Sequence, residues 1–203
     1  MGLCEQSGEV GAVLDDEALM QALNSTPVVD GRRRDLWRDD HELDRWAREH
    51  GGHGGDAERR WLRTARDALL AVESGAPAEP RLRRILAGVR KVPRPVPSGI
   101  EWHVEMPPER RPAVELVLAW ADVKERLPGR LRPCGNPDCR LFLLDRSRAN
   151  TARWCSMKTC GNRLKARRHQ ARTRETETGT GTETGPEAGT GTETGTGTGT
   201  ETS

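Results

Sequence analysis

The chain has 203 residues, of which 33% are hydrophobic and 32% charged, and 33 Lys and Arg against 31 Asp and Glu leave a net charge of +2. This length suits one ordinary domain plus a small module. No apolar run approaches the roughly 18 to 20 residues of a membrane-spanning helix, and the acidic stretch 1–16 does not resemble a secretory signal. We therefore exclude a membrane protein and expect a cytoplasmic one.

The small net charge is a sum over three segments of different composition. Residues 1–129 hold 20 basic against 23 acidic residues, and residues 130–174 hold 13 against two, a net charge of +11. Residues 175–203 hold six glutamates, no basic residue and little besides Thr and Gly. With nothing apolar to bury, this last segment is predicted to be a disordered tail.

The front segment is predicted to be a mostly helical domain with a short strand. Apolar residues recur at helical spacing in five stretches: 15–23, 35–50, 56–73, 80–89 and 112–127. The proline-rich stretch 91–98 is predicted to be an irregular connection. After it, Ile100, Trp102, Val104 and Met106 alternate with polar residues, which predicts a strand.

No catalytic constellation is recognisable in this domain, so we expect a protein that is not an enzyme. His50 and His53 lie in a glycine-rich stretch without nearby cysteines and are interpreted as linker residues rather than metal ligands. The acidic residues within 39–44 lack the pattern of a calcium loop and are interpreted as a solvated helix face. Three tryptophans are expected in the helical core: Trp37, Trp46 and Trp61.

Four of the five cysteines form two pairs at metal-ligand spacing. Four residues separate Cys134 from Cys139 and Cys155 from Cys160, and fifteen residues lie between the pairs. Two such pairs can hold one tetrahedral ion, and four thiolates leave no position for a reactive water. We therefore expect one structural Zn²⁺ that keeps a small module folded. A disulfide or redox pair is the alternative, which a reducing compartment disfavours; Cys4 is interpreted as a free thiol.

The residues around the cysteines predict a hairpin followed by a helix. Turn-forming residues at 133–139 allow the backbone to curl around the metal, and 141–144 is predicted to be a short strand. Trp154 is expected to shield one side of the site. Ser156 is a suitable cap for a helix that continues to Arg174.

The helix 156–174 is basic on two sides, which predicts a polyanion as its partner. Arg163 and Arg167 are candidates for pairing with guanine, and Asn162 for pairing with adenine. The alternative for Asn162 and Arg163 is structural, a hydrogen bond to the backbone beside the metal. Phosphate contacts are expected from further basic residues of the helix and hairpin: Lys165, Arg168, Arg172, Arg174, Arg146, Arg148 and Arg153.

The run Cys160-Gly161-Asn162-Arg163 matches the signature of the CGNR zinc finger proteins, and the resemblance extends over 134–139, 141–145, 147–148, 153–157 and 165–168. It implies four cysteines on zinc and a DNA-binding role. Members of that family commonly carry an amino-terminal ABATE domain, regarded as the sensory part of stress-induced bacterial transcription regulators. Residues 22–26 resemble the Leu-Asn-Thr motif of that domain, with Ser25 inserted and without the preceding aromatic residue.

These observations predict a mainly α fold with a minor α+β element. It comprises an ABATE-like helical domain at 1–129, a zinc-stabilised hairpin-plus-helix module at 130–174 and the tail at 175–203. The expected function is that of a zinc-dependent transcriptional regulator, with double-stranded DNA as partner of the module and a small-molecule effector or a protein as partner of the front domain. Arg outnumbers Lys 29 to 4, which favours a GC-rich bacterial source.

Two other functions remain open. The zinc module could be an interaction adaptor that docks on an acidic partner in the transcription machinery. RNA binding ranks below DNA binding, because Phe142 and Trp154 are the only aromatic residues of the module and both are expected in packing.

Overall fold

The computed structural model describes residues 14–29, 31–162, 165–167 and 170. Those up to 162 belong to one compact unit and those from 165 onward to another. The α-helices are α1 (Asp16–Leu23), α2 (Asp40–Glu49), α3 (Asp56–Glu73), α4 (Ala78–Leu86) and α5 (Arg111–Arg126). The strands are β1 (Val28–Val29), β2 (Arg32–Arg33), β3 (Arg90–Val96), β4 (Gly99–Glu105), β5 (Leu131–Pro133) and β6 (Phe142–Leu144). The mainly helical fold with short strand pairs is therefore confirmed.

The hydrophobic core lies where α3 packs against α4 and α5, and where α1 packs against α3 and α5. Large side chains on these helices are fully buried, including Leu19, Leu23, Leu62, Leu69 and Leu116. Each such leucine contributes about 1.5–3 kcal/mol of burial free energy. None of the helices within the described ranges is both long and apolar enough to cross a membrane.

Trp37, Trp46 and Trp61 pack on this core, as predicted. Trp37 and Trp46 are buried with ring centroids 5.0 Å apart, and Trp61 is partly buried beside the same cluster. His50 stacks on the Trp46 ring, and its Nδ1 lies 2.7 Å from the Trp46 carbonyl oxygen. That histidine therefore serves as a packing residue at the end of α2.

The single helix predicted over 35–50 is wrong, because Asp39 divides the segment into a short 3-10 turn and α2. Asp35 accepts a hydrogen bond from the Trp37 amide and caps a short 3-10 turn, Leu36–Arg38. Asp39 then adopts an extended backbone and caps α2 through the His41 and Glu42 amides. A short carboxylate that bonds to nearby amides competes with the helix, which explains the break.

The acidic residues at the start of α2 are not simply a solvated face. Asp44 is only 15% exposed, and its Oδ2 lies 2.6 Å from Nη1 of Arg59 on α3. Asp40 pairs with Arg63 of the same helix. These ion pairs connect α2 to α3 in addition to their apolar contact.

The stretch 91–98 was predicted to be an irregular connection, but this prediction is wrong because most of the stretch belongs to β3. This strand pairs antiparallel with β4 in a register that runs from Arg90 opposite Glu105 to Val96 opposite Gly99. Prolines are compatible with a strand at the edge of a sheet, where their nitrogen faces away from the neighbour. The predicted strand near 100–106 is confirmed, and α4 begins and ends slightly earlier than the predicted helix 80–89.

The cysteine-rich segment begins with the third antiparallel pair of the fold, in which β5 faces β6 with Leu131 opposite Leu144. The side chains of Leu131 and Phe142 join the hydrophobic core of the front domain. The boundary at 129/130 stays a prediction. Cys4 and the tail 175–203 lie outside the described residues.

Candidate metal centre

The four predicted ligands Cys134, Cys139, Cys155 and Cys160 lie together, with all four Sγ atoms within 4.8 Å of one another. The Sγ of Cys155 is 3.7 Å from that of Cys139 and 3.6 Å from that of Cys160. Zn–S bonds of about 2.3 Å in a tetrahedron place sulfurs about 3.8 Å apart. The cluster therefore has the dimensions of a tetrathiolate zinc site.

Local backbone structure brings the two cysteine pairs to one point. Cys134 directly follows β5, and its amide donates to the Leu141 carbonyl at 2.8 Å, which closes the hairpin. The Cys139 amide bonds to the Asn136 carbonyl at 2.9 Å in the tight turn of the first pair. The Cys155 amide points at the Cys134 sulfur at 3.4 Å, so the two pairs are joined directly.

The last ligand, Cys160, lies in a wide helical turn rather than in a regular α-helix. The turn spans Met157–Gly161, and its cap is Ser156, whose Oγ accepts from the Thr159 amide at 3.3 Å. The predicted cap is thus confirmed, but the predicted α-helix begins with a π-helical turn. Such turns are frequent at functional sites, and here the turn carries a metal ligand.

A buried asparagine supports the sulfur of Cys160. Asn136 is 1% exposed, and its Nδ2 lies 3.6 Å from the Cys160 Sγ. Its Oδ1 accepts from the Asp138 amide at 3.2 Å, so the orientation of the amide is fixed. A hydrogen bond of this kind stabilises a thiolate ligand.

The thiols of the cluster have divergent acidities. Burial raises the pKa of Cys139 to about 11 and raises that of Cys155 further. Burial acts in the same direction on Cys160, but hydrogen bonds from Asn136 and the neighbouring thiols outweigh it and lower its pKa. Because the raised pKa values keep Cys139 and Cys155 protonated at neutral pH, zinc binding must displace protons from them.

Trp154 packs between the two Cys-Gly-Asn sequences of the site. A Cβ on Gly135 would lie 3.2 Å from a Trp154 ring carbon and 3.0 Å from the Arg153 carbonyl oxygen. A Cβ on Gly161 would lie 3.3 Å from the same ring and 2.9 Å from the Met157 sulfur. A side chain larger than glycine after Cys134 or Cys160 would therefore require the tryptophan ring and its neighbours to shift by a few tenths of an ångström.

Asp145 organises the loop between the cysteine pairs, a role that sequence analysis missed. Its buried carboxylate accepts from the amides of Ser147 and Ala152, each at 2.8 Å, and pairs with Arg132 of β5. Hydrogen bonding to Ser147 lowers the pKa of Asp145 most strongly, so the carboxylate stays ionised. The sequence did contain one indication of this role, because Asp145 is one of only two acidic residues in the basic segment 130–174.

The predicted DNA-contacting residues that the structure describes are exposed: Arg148, Arg153, Asn162, Lys165 and Arg167. The Arg153 guanidinium lies 5.6 Å from the Trp154 ring centroid. Arg146 pairs with Asp16 at 3.1 Å and so faces α1. The amide of Asn162 closes the π-helical turn, and residues 162, 165–167 and 170 are helical. Arg163, Arg168, Arg172 and Arg174 lie outside the described residues.

Comparison with known proteins agrees with this geometry. Residues 130–173 match the family model of the CGNR zinc finger, a span that includes all four clustered cysteines. A search of curated proteins found none that matches the chain. The family match and the spacing of the sulfurs both indicate one zinc ion. The segment 130–173 is therefore similar to the CGNR zinc finger, and its four cysteines are placed to hold one zinc ion.

Proposed function

We propose that the zinc finger binds double-stranded DNA and that the chain is a transcriptional regulator. The observation that carries this proposal is the charge of residues 130–174, which hold 13 basic and two acidic residues. One of those acids, Asp145, is buried against Arg132, so the exposed charge is overwhelmingly positive. DNA carries one negative charge for about every 1.7 Å of its axis, which is a matching partner.

Within this proposal the residues divide into two roles. Asn162, Arg163 and Arg167 read base edges, since Asn pairs with adenine and Arg with guanine. Phosphate contacts come from the remaining basic residues and provide affinity without sequence information: Arg148, Arg153, Lys165, Arg168, Arg172 and Arg174. Stacking on Trp154 restricts the Arg153 guanidinium and reduces the entropy cost of such a contact. No catalytic role is proposed.

A cavity beside the zinc finger supports a sensory role for the front domain. Its volume is about 730 Å³, part of which is the metal site, because its walls include the ligands Cys139, Cys155 and Cys160. The rest is lined by Met20 of α1, Phe142 of β6 and Trp154, among others. Small-molecule sites are typically about 300–1,000 Å³ and mostly apolar. An effector bound there would contact both the front domain and the finger. A thermal-shift screen of metabolites with the chain and with Met20→Arg tests this role, because a true effector should stabilise only the original chain.

The adaptor function is the second candidate, since the same positive surface suits an acidic protein. The two are separated by incubating the zinc-loaded chain with random DNA duplexes and sequencing those retained. A sequence-specific regulator should enrich a motif that the Cys155→Ser variant does not enrich. Weak retention without a motif would contradict the regulator and favour the adaptor.

A further inference from the structure

The ribbon formed by β3 and β4 exposes an apolar face to solvent. Ile100, Trp102 and Val104 alternate along β4 and are 65%, 50% and 37% exposed. Residues directly opposite one another in an antiparallel pair lie on the same face. Pro95 and Pro93, the partners of Ile100 and Trp102, therefore extend this face, and both are exposed. Lys91, the partner of Val104, lies on the same face, with its Nζ 5.4 Å from the Trp102 ring centroid.

The two long edges of this ribbon differ in their ability to pair with another strand. A two-residue turn at 97–98 joins Val96 to Gly99, and such a turn is closed by a hydrogen-bonded pair. Hydrogen-bonded pairs alternate with non-bonded pairs, so Pro93 and Pro95 fall in non-bonded pairs with their nitrogens facing outward. The free edge of β3 consequently lacks amide donors at two positions.

The free edge of β4 has the opposite character. By the same alternation, Ile100, Trp102 and Val104 point their N–H and C=O groups away from β3. In the described ranges the ribbon has two strands and no other strand pairs with it. An apolar strand with a complete outer row of donors and acceptors is a template for pairing with a further strand.

We propose that β4 pairs antiparallel with β4 of a second copy of this chain, on a twofold axis at Trp102. In this register Trp102 faces its own counterpart, and Ile100 of each copy faces Val104 of the other. On the opposite face, Glu101 of each copy faces His103 of the other. The strand is therefore self-complementary in apolar contact, and each Glu101 carboxylate faces an imidazole that can donate a hydrogen bond to it.

Other registers lose this complementarity. A shift of the register by one residue places the apolar residues of one copy opposite the charged residues of the second copy. Moving the axis to Glu101 sets two glutamates against each other, and moving it to His103 sets Glu101 against Glu105. Within one chain Glu101 and His103 already share a face, with Oε2 and Nε2 3.6 Å apart. The twofold arrangement at Trp102 adds two further contacts between Glu101 and His103, each of which joins one copy to the other.

The proposed pairing also improves the ribbon itself. Two strands alone are marginally stable in water, whereas pairing makes a four-stranded sheet. Three residue pairs each exchange two backbone bonds, which adds about six hydrogen bonds. The second copy supplies these contacts whether or not DNA is bound.

Sedimentation equilibrium of the zinc-loaded full chain tests this dimer. The expected mass is twice 22.5 kDa. His103→Glu places two carboxylates opposite each other twice per dimer, so we expect dimer affinity to fall about tenfold or more. Glu101→Lys combined with His103→Glu restores opposite charges and should restore the dimer.

Two further variants separate edge pairing from other contacts. Val104→Pro removes one outward amide without removing a bond to β3, and it should abolish the dimer while circular dichroism stays unchanged. Leu36→Glu alters an exposed apolar residue elsewhere, 42% exposed, and should leave the dimer intact. The proposal would be overturned by a chain that is monomeric at every concentration or by a dimer that Val104→Pro does not weaken. It would also be overturned if the double variant did not recover the dimer affinity lost in His103→Glu.

Discussion

The side-chain amide of Asn24 forms two hydrogen bonds with the backbone of Phe142. The Asn24 Oδ1 accepts from the Phe142 amide at 2.7 Å, and its Nδ2 lies 3.2 Å from the Phe142 carbonyl oxygen. Asn24 caps the end of α1, and Phe142 begins the β6 strand of the zinc finger. This side chain thereby adds a polar connection to the apolar contacts through which the finger packs on the front domain.

Replacement of Asn24 by alanine should weaken this connection. The change leaves the Phe142 amide and carbonyl without their partner, and an unsatisfied buried polar group costs about 1–3 kcal/mol. We expect the free energy of unfolding of the zinc-loaded chain to fall by that amount, as measured by denaturant titration.

Asn162→Ala is the matched control, because it removes an asparagine side chain that is exposed. Its unfolding free energy should stay within about 0.5 kcal/mol of the original chain. Equal losses of unfolding free energy in the two variants would show that the contact of Asn24 with Phe142 makes no specific contribution to stability.

Zinc content should depend on the clustered cysteines alone. Cys155→Ser removes a ligand that lies within hydrogen-bonding distance of two other sulfurs, and second-row oxygen is a poorer ligand than thiolate for this ion. We expect the original chain to retain one zinc per chain in elemental analysis and the variant to lose most of it in the presence of a mild chelator.

Cys4→Ser provides the comparison for zinc binding, because the cluster consists of the other four cysteines. It should keep the full zinc content. Substitution with Co²⁺ adds a spectroscopic check, since four thiolates in a tetrahedron give strong visible absorption. Zinc retention in Cys155→Ser would contradict tetrathiolate ligation.

The metal site was predictable from sequence because its ligands are defined by local spacing. Cys134 and Cys139 lie in one turn and Cys155 and Cys160 in another, so pattern alone indicates the ion. The two contacts of Asn24 span 118 residues, which no local pattern encodes. The similarity of residues 22–26 to a family motif was visible, but the partner of that motif required the fold.

The errors in secondary structure have a related cause. Prolines at 93 and 95 indicate a loop when they are considered singly, yet they fit a strand once β4 lies on one side only. Asp39 fits a helical face by periodicity, but its carboxylate caps α2 and so ends the preceding turn. In both cases a specific hydrogen-bonding arrangement outweighed the propensity of the segment.

Glu115 of α5 should make stability depend on pH. Burial raises its pKa to about 7; Arg111 opposes the rise, and the buried Glu58 of α3 adds to it. As pH rises, the unfolded chain, in which the pKa of this glutamate is about 4.5, releases the proton at a lower pH than the folded chain does. Unfolding free energy attributable to this group should fall as pH rises from about 4.5 to 7 and stay low above that range.

Glu115→Gln should remove this dependence. At pH 8 the variant should be more stable by up to about 3 kcal/mol, which corresponds to the full shift, whereas near pH 4.5 the two chains should be alike. Denaturant unfolding across that pH range measures the difference. Glu109→Gln, an exposed substitution nearby, should leave the pH profile unchanged. A profile that is the same in all three chains would refute the assignment to Glu115.

DNA affinity, if the proposed function holds, should depend on salt and on the exposed arginines of the finger. With about six phosphates neutralised, log affinity should fall against log salt with a slope of roughly −5. Arg153→Gln removes one such contact and should reduce the slope by about 1, with an equal loss for all DNA sequences. Arg81→Gln removes the same charge from an exposed position on α4 and should leave the slope unchanged in fluorescence anisotropy titrations. Equal effects of the two substitutions would mean that net charge, rather than a surface on the zinc finger, governs binding.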